Sequence, residues 1–328
     1  MVETDPNFYI DGVRNGNRKI LSKTITLIES ALPGHQALTY EILDRLLPDT
    51  GNAIRLGITG VPGVGKSTFI ESLGGRLIEQ GRRVAILAVD PSSARSGGSI
   101  MGDKTRMEKL SGNAGAFIRP SPSGGTLGGV ARKTRETILV CEAAGFDVVM
   151  VETVGVGQSE FSVASMVDFF LVLLLAGAGD ELQGIKRGII EIADALAINK
   201  ADGENAANAQ KAKTEYENAL HLVTPPDAAW QPPVLTCSAL ELTGIDAVWD
   251  TVLEHRRRME QTGDFDEKRR QQAMDWFRYL VEEGVKEWFY RKPQVKARLP
   301  EVEKQVDSGE TTAMAAARRL LALLDKCD

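Results

Sequence analysis

The stretch Gly60-Val61-Pro62-Gly63-Val64-Gly65-Lys66-Ser67 satisfies the pattern G-x-x-x-x-G-K-[ST] at every position, and Thr68 follows it. An apolar, β-prone run (Ile54–Thr59) precedes the motif and a helical segment comes after it. No other feature constrains the chain as strongly, because strand, glycine loop and helix in that order form a phosphate cradle. The glycines let the backbone curl, successive N–H groups point inward, and the helix adds its positive N-terminal end. Lys66 is then placed for β- and γ-phosphate oxygens, and the Ser67 hydroxyl for Mg²⁺.

Beyond this motif, short apolar runs alternate with helical segments, the sequence form of βαβ units and a mainly parallel sheet. The strand candidates are Ile54–Thr59, Val84–Val89, Ala116–Arg119, Val148–Glu152, Phe169–Leu175, Leu196–Asn199 and Val234–Thr236. Several are apolar at consecutive positions, as strands buried on both faces must be. Upstream, Leu21, Ile25, Ile28 and Leu32 predict one helix, broken at Pro33-Gly34; Leu38, Ile42, Leu43 and Leu46 predict a second, with a linker over Pro48 to Gly51. Past about residue 250 only helical stripes remain: Met274, Phe277, Val281, Val285 and Trp288, then Met314, Ala317, Leu321 and Leu324. Lys292-Pro293 and Leu299-Pro300 are expected to break the chain between them. The predicted class is therefore α/β: a P-loop NTPase with a mainly parallel central sheet flanked by helices, plus a helical N-terminal extension and a helical C-terminal arm. The expected divisions are 1–50, 51–258 and 259–328.

Composition narrows the partners. The 328 residues carry 39 lysines and arginines against 45 aspartates and glutamates, a net charge of −6. Binding to nucleic acid or to an anionic membrane is disfavoured. The most apolar stretch, Phe169 to Gly179, is shorter than the roughly 20 residues of a membrane helix. The N-terminus has early acidic residues and no apolar core, unlike a secretory signal. Cys141, Cys237 and Cys327 lie far apart, which suits a reducing compartment; the expected location is cytoplasmic, or organellar after import.

The base is read further along. Asn199-Lys200-Ala201-Asp202 follows a strand candidate. An aspartate carboxylate can accept from both N1–H and the exocyclic amine of guanine, whereas adenine would leave the charge unpaired. The Lys200 stem can cover the purine ring, and Asn199 can bridge loops and approach N7. In Ser238-Ala239-Leu240, just after the last strand candidate, a backbone N–H can donate to guanine O6. The predicted ligands are GTP or GDP rather than adenine nucleotides.

Glu152 ends the aliphatic strand candidate Val148–Glu152, and Thr153-Val154-Gly155 follows. This looks like the strand-end acid that holds Mg²⁺ through water, with the Gly155 N–H sensing γ-phosphate; an aspartate is usual where this chain has Glu. Asp90 ends the second strand candidate and reads either as a further Mg²⁺ carboxylate or as the start of a proline turn. Asp103, Lys104 and Arg106 lie in a glycine-containing loop that either orders around γ-phosphate and Mg²⁺ or is a solvated surface. The order Gly155-Val156-Gly157-Gln158 puts no glutamine directly after Gly155, so slow unassisted hydrolysis is expected.

GVPGVGKST, AVDPSS, SGGSIMGDKTRM, RPSPSGGTLGG, VETVGVGQSE, AGAGDELQGIKRGI and NKAD, in this order over most of the chain, together resemble the methylmalonyl-CoA mutase-associated GTPases of the MeaB/ArgK type. The resemblance implies GTP hydrolysis and a chaperone role toward adenosylcobalamin-dependent methylmalonyl-CoA mutase, gating cofactor delivery and protecting the mutase from inactivation. It implies a homodimer formed through the C-terminal arm. It links the acids matching Asp90, Asp103 and Glu152 to Mg²⁺ and puts Arg106 in a nucleotide-responsive switch. Over Gly177 to Ile189 it implies a further switch, in which Gln183 and Lys186 couple nucleotide state to the mutase. The implied catalytic set is Lys66, Asp103, Glu152 and Gly155.

Three other readings compete. A nickel-insertion GTPase needs clustered ligands, but His35, His221 and His255 are scattered like the cysteines. A signal-recognition-type GTPase needs a methionine-rich domain, and the eight methionines do not cluster. A small-molecule kinase needs an acceptor for its phosphate. Arg256-Arg257-Arg258 reads as a solvated helix face.

Overall fold

The structure is a computed structural model that describes residues 3–89, 107–120, 127–153, 160–176, 187–225 and 227–324. All seven strand candidates form. They are β1 (Ile54–Gly60), β2 (Val84–Val89), β3 (Ala116–Pro120), β4 (Val148–Thr153), β5 (Phe169–Leu175), β6 (Ala195–Asn199) and β7 (Val234–Thr236). Every pairing is parallel, and the sheet order is β3-β2-β4-β1-β5-β6-β7. Burial is nearly continuous along β1, β2, β4, β5 and β6, which is why unbroken apolar runs, rather than alternation, mark β2, β4, β5 and β6.

The helices, in chain order, are α1 (Pro6–Arg14), α2 (Arg18–Glu29), α3 (Pro33–Leu46), α4 (Lys66–Glu79), α5 (Glu108–Ser111), α6 (Leu127–Ala143), α7 (Glu160–Ala164), α8 (Arg187–Glu191), α9 (Ala206–Val223) and α10 (Ile245–Thr262). There follow α11 (Asp264–Arg291), α12 (Pro293–Asp307) and α13 (Ala313–Leu321). The chain leaves β1 toward β2 on one side and, after β4, continues from β5 to β7 on the other. Winding thus reverses beside β1, and in open α/β sheets such a reversal opens a crevice at the C-terminal strand ends.

The chain divides into two compact units, Met1–Asp266 and Glu267–Asp328. Helices α1–α3 belong to the first and share its core: Ile10, Leu21, Ile25, Ile42 and Leu46 are fully buried in the same cluster as the sheet. They pack against α6, and Arg119 at the end of β3 pairs with Glu29 of α2. Helix α10 packs on α4.

Two local expectations are corrected. Leu32 lies outside the helix it was assigned to and is exposed; the chain turns out at Ser30, and Pro33 then starts α3 at its first position, where a missing N–H costs nothing. Pro300 does not break the chain but sits inside α12, which proceeds despite the one backbone bond that proline cannot make. Helix α1, with the short buried set Tyr9, Ile10, Gly12 and Val13, belongs to the helical stretch expected before residue 50. In the second unit, Met274, Phe277, Val281, Val285 and Trp288 of α11 form an exposed apolar stripe.

Candidate functional site

The glycine loop runs from the end of β1 to the first residue of α4. At Gly60 φ is +154°, and a Cβ there would stand 2.5 Å from the Leu173 carbonyl oxygen. Gly65 has φ +93°, with a Cβ position 2.8 Å from Asn199 Nδ2. Both positions demand glycine, one because β5 crowds it and one because the distant Asn199 side chain does. Gly63, with φ +82°, faces open space. Val64 is buried and Val61 nearly so, while Pro62 is exposed on the loop. Lys66 opens α4, is buried, and folds back over its own loop, donating from Nζ to the Gly60 carbonyl at 2.9 Å and the Val61 carbonyl at 3.4 Å.

Ser67 and Thr68 follow in the first turn of α4. The Ser67 hydroxyl donates to Glu152 Oε1 at 3.3 Å. Glu152 is buried, and the register Ile58↔Glu152 brings it beside the loop. One residue on, the Thr59 and Thr153 hydroxyls meet at 2.7 Å and join the ends of β1 and β4. This pair was not foreseen; two threonines closing strands that turn out adjacent are the only sequence sign of it.

Asn199, last residue of β6, reaches furthest. Its Nδ2 donates to the Val64 carbonyl at 2.9 Å, and its Oδ1 accepts from the Ala239 N–H at 3.1 Å. One partner can only accept and the other can only donate, so the amide orientation is determined. A single buried side chain therefore ties the glycine loop to the Ser238–Leu240 loop. Lys200 adopts φ +60°, left-handed backbone that costs a non-glycine residue about 1 kcal/mol or more. It is held there by Asn205 Nδ2 on its carbonyl at 2.7 Å and by the next N–H, Ala201 to the Cys237 carbonyl at 3.0 Å. Its Cε lies 3.9 Å from the Gly65 Cβ position, over the glycine loop.

Asp202 Oδ2 accepts from the Ser238 hydroxyl, whose oxygen in turn accepts from the Glu241 N–H at 3.1 Å. Ser238 and Ala239 are buried, and the Leu240 side chain is exposed. Cys237, behind Asn199, has its thiol pushed up to about 12 by burial, so at neutral pH it stays protonated and is a poor metal ligand. Among the described residues no three His, Cys, Asp or Glu side chains stand close enough to hold a metal ion, and none of the helices is long and apolar enough to cross a membrane.

The structure thus brings together Gly60 to Thr68, Glu152, Asn199, Lys200, Asp202 and Ser238 to Leu240 at one end of the sheet. Asp90, Asp103, Arg106, Gly155, Gln183 and Lys186 lie outside the described residues. Chemically, the assembled end offers a nest of main-chain amides with a lysine for a polyanion, a hydroxyl–carboxylate pair for a hard cation, and a carboxylate with loop amides for a hydrogen-bonding base.

Known proteins similar to this chain point to one family. A family model described as methylmalonyl Co-A mutase-associated GTPase MeaB matches residues 21–294. The GTPase ArgK of Escherichia coli is 52% identical over 273 residues, 83% of this chain and 82% of that protein. The mitochondrial methylmalonic aciduria type A homolog of Mus musculus is 46% identical over 320 residues, 94% of this chain and 77% of that one. A crystal structure described as an LAO/AO transport system kinase superposes with a TM-score of 0.78 at 40% identity, covering 99% of both chains. The P-loop in its strand–helix setting, the loop bridge made by Asn199 and these likenesses converge, and the chain belongs to the family of methylmalonyl-CoA mutase-associated GTPases of the MeaB type.

Proposed function

We propose that this chain binds GTP with Mg²⁺ across the crevice above β1, hydrolyses it to GDP and phosphate, and serves as a chaperone of methylmalonyl-CoA mutase, gating adenosylcobalamin delivery and guarding the mutase against inactivation. The observation that carries the nucleotide part is the Asn199 bridge, which locks the phosphate loop and the base loop into one frame. Triphosphate oxygens take the amides of Gly63 to Thr68 and the Lys66 ammonium, and guanine takes the Asp202 carboxylate beneath the Lys200 stem. The Ser67 hydroxyl and Glu152 carboxylate suit Mg²⁺, being hard oxygen donors already side by side. When bound, Mg²⁺ would neutralise charge on the β- and γ-oxygens. Asp90 and Asp103 complete the proposed metal set, Gly155 and Arg106 the response to γ-phosphate, and Gln183 and Lys186 the link to the mutase. The exposed stripe Phe277, Val285 and Trp288 on α11 supports a homodimer formed through the C-terminal arm. The acidic balance supports a protein that works in the cytoplasm without nucleic acid or membrane.

A second reading comes from the solved relative, described as a kinase. The two part on where the phosphate goes. The deciding experiment is a GTP titration, followed by free phosphate, with and without purified methylmalonyl-CoA mutase. The chaperone reading expects the mutase to co-elute and to raise a slow basal turnover. A mutase that neither binds nor changes turnover would overturn it, and transfer to a small-molecule acceptor instead of water would favour the kinase.

A further inference from the structure

The Ser72 hydroxyl, on α4, donates to the Ala239 carbonyl at 2.7 Å, across 167 residues of sequence. It joins the phosphate-binding helix directly to the base loop. The Ala239 C=O and the Leu240 N–H belong to a single planar trans peptide unit, so they point in opposite directions. Holding the carbonyl therefore sets the direction of the N–H.

The neighbouring amides have other duties. The Ala239 N–H goes to Asn199 Oδ1 at 3.1 Å, and the Glu241 N–H to the Ser238 hydroxyl at 3.1 Å. Between them, among the described residues, the Leu240 N–H makes no such bond. The rest of the loop is stiff. Ser238 and Thr243 exchange two backbone bonds, at 2.9 and 3.2 Å. Gly244, with φ +72° and a Cβ position 2.4 Å from the Thr236 carbonyl, closes it where no other residue fits. Helix α10 then returns along α4 and keeps Ser72 in reach.

We propose that Ser72 is a positioning residue for base recognition: by gripping the Ala239 carbonyl it aims the Leu240 N–H at the O6 acceptor of guanine and fixes that amide relative to the phosphate loop. The proposal rests on the guanine-nucleotide reading above and deepens it. Asp202 tests the N1 and N2 side of the base; Ser72 governs the O6 side without touching it.

The test is a set of dissociation constants on the full chain with Mg²⁺ for GTP, 6-thio-GTP and ITP. In 6-thio-GTP a sulfur, a weaker acceptor, replaces O6 alone; ITP keeps O6 but lacks the amine that Asp202 reads. S72A is expected to shrink the preference for GTP over 6-thio-GTP about fivefold, the worth of one ordinary hydrogen bond, while the GTP-to-ITP ratio stays as in the parent chain. S72T, which retains the hydroxyl, should keep both ratios. Equal weakening toward GTP and 6-thio-GTP would make Ser72 a mere brace and overturn the proposal, as would a parent chain that does not distinguish those two nucleotides. A parent chain that fails to prefer GTP over ATP would instead sink the guanine reading itself. Should S72A not fold, S72C preserves the shape with a weak donor and reads the same ratio.

Discussion

The two ends of the sheet spend similar side chains in opposite ways. At the N-terminal strand ends, Arg55 meets Glu142 through two hydrogen bonds of 2.8 Å, and the Gly51 N–H adds a third at 3.0 Å. Three aspartates repeat one device there. Asp147, Asp168 and Asp194 each stand just before a strand, and each carboxylate accepts the N–H of Arg83, Arg55 and Phe170, respectively, at 2.7 to 2.8 Å. At the C-terminal strand ends, Glu152 meets the Ser67 hydroxyl, Asp202 meets the Ser238 hydroxyl, and Lys66 meets two carbonyls. A carboxylate that meets a rotatable hydroxyl, as Glu152 and Asp202 do, can have that hydroxyl turn to a ligand atom without stranding an opposite charge, whereas a strand N–H is fixed in place. A buried charge pair cannot be opened so cheaply. The closed end holds the strands together, and the exchangeable end is the one where a ligand can be received.

The sharpest way to break this contrast is at the closed end. Glu142→Ala leaves the largely enclosed Arg55 guanidinium without its carboxylate, and the expected loss is about 3 kcal/mol, the low end for a buried pair, seen as a lower urea midpoint. The ratio of GTP to XTP affinity should not move; a shift in selectivity would mean that the two ends are not separate. At the open end the expectation reverses. Asp202→Asn should weaken GTP binding by about 2 kcal/mol, roughly thirtyfold in Kd, and turn preference toward xanthosine triphosphate, with little change in melting temperature. Unchanged selectivity would remove Asp202 from base recognition. The smallest effect concerns the backing of the open end. With its thiol pushed up to about 12 by burial, Cys237 is almost wholly protonated at pH 8. It should resist iodoacetamide in the native chain and react in urea, as mass spectrometry of the labelled peptide would show. The sign follows from burial: the fold favours the neutral thiol, and that contribution fades only as pH climbs from the ordinary thiol range toward 12. Rapid native labelling would show the backing to be open to solvent.

Much of the frame was legible from the residues because its signals are local. Short apolar runs mark every strand to within about a residue at each end, and several are continuous because strands covered on both faces need no alternation. The glycine loop, NKAD and the Ser238–Leu240 loop were legible for the same reason: spacing and strand-end placement are written in neighbouring residues. What stayed hidden was pairing at a distance. Nothing near Ser72 announces a bond to Ala239, and the aspartates before β4, β5 and β6 look like ordinary loop residues until the strand order is known. Pro300 misled for a different reason: proline weakens a helix locally, but neighbouring turns can carry it.

The first 50 residues supply a last lesson. Ile10, Leu21, Ile25, Ile42 and Leu46 are as deeply enclosed as the strands themselves, and Arg18, through the Ala116 carbonyl, and Glu29, through Arg119, fasten α2 to β3. They are therefore part of the folded unit. A shortened clone beginning at the first strand would present a bare greasy flank, and anyone trimming the gene for easier expression should expect inclusion bodies rather than a minimal GTP-binding core.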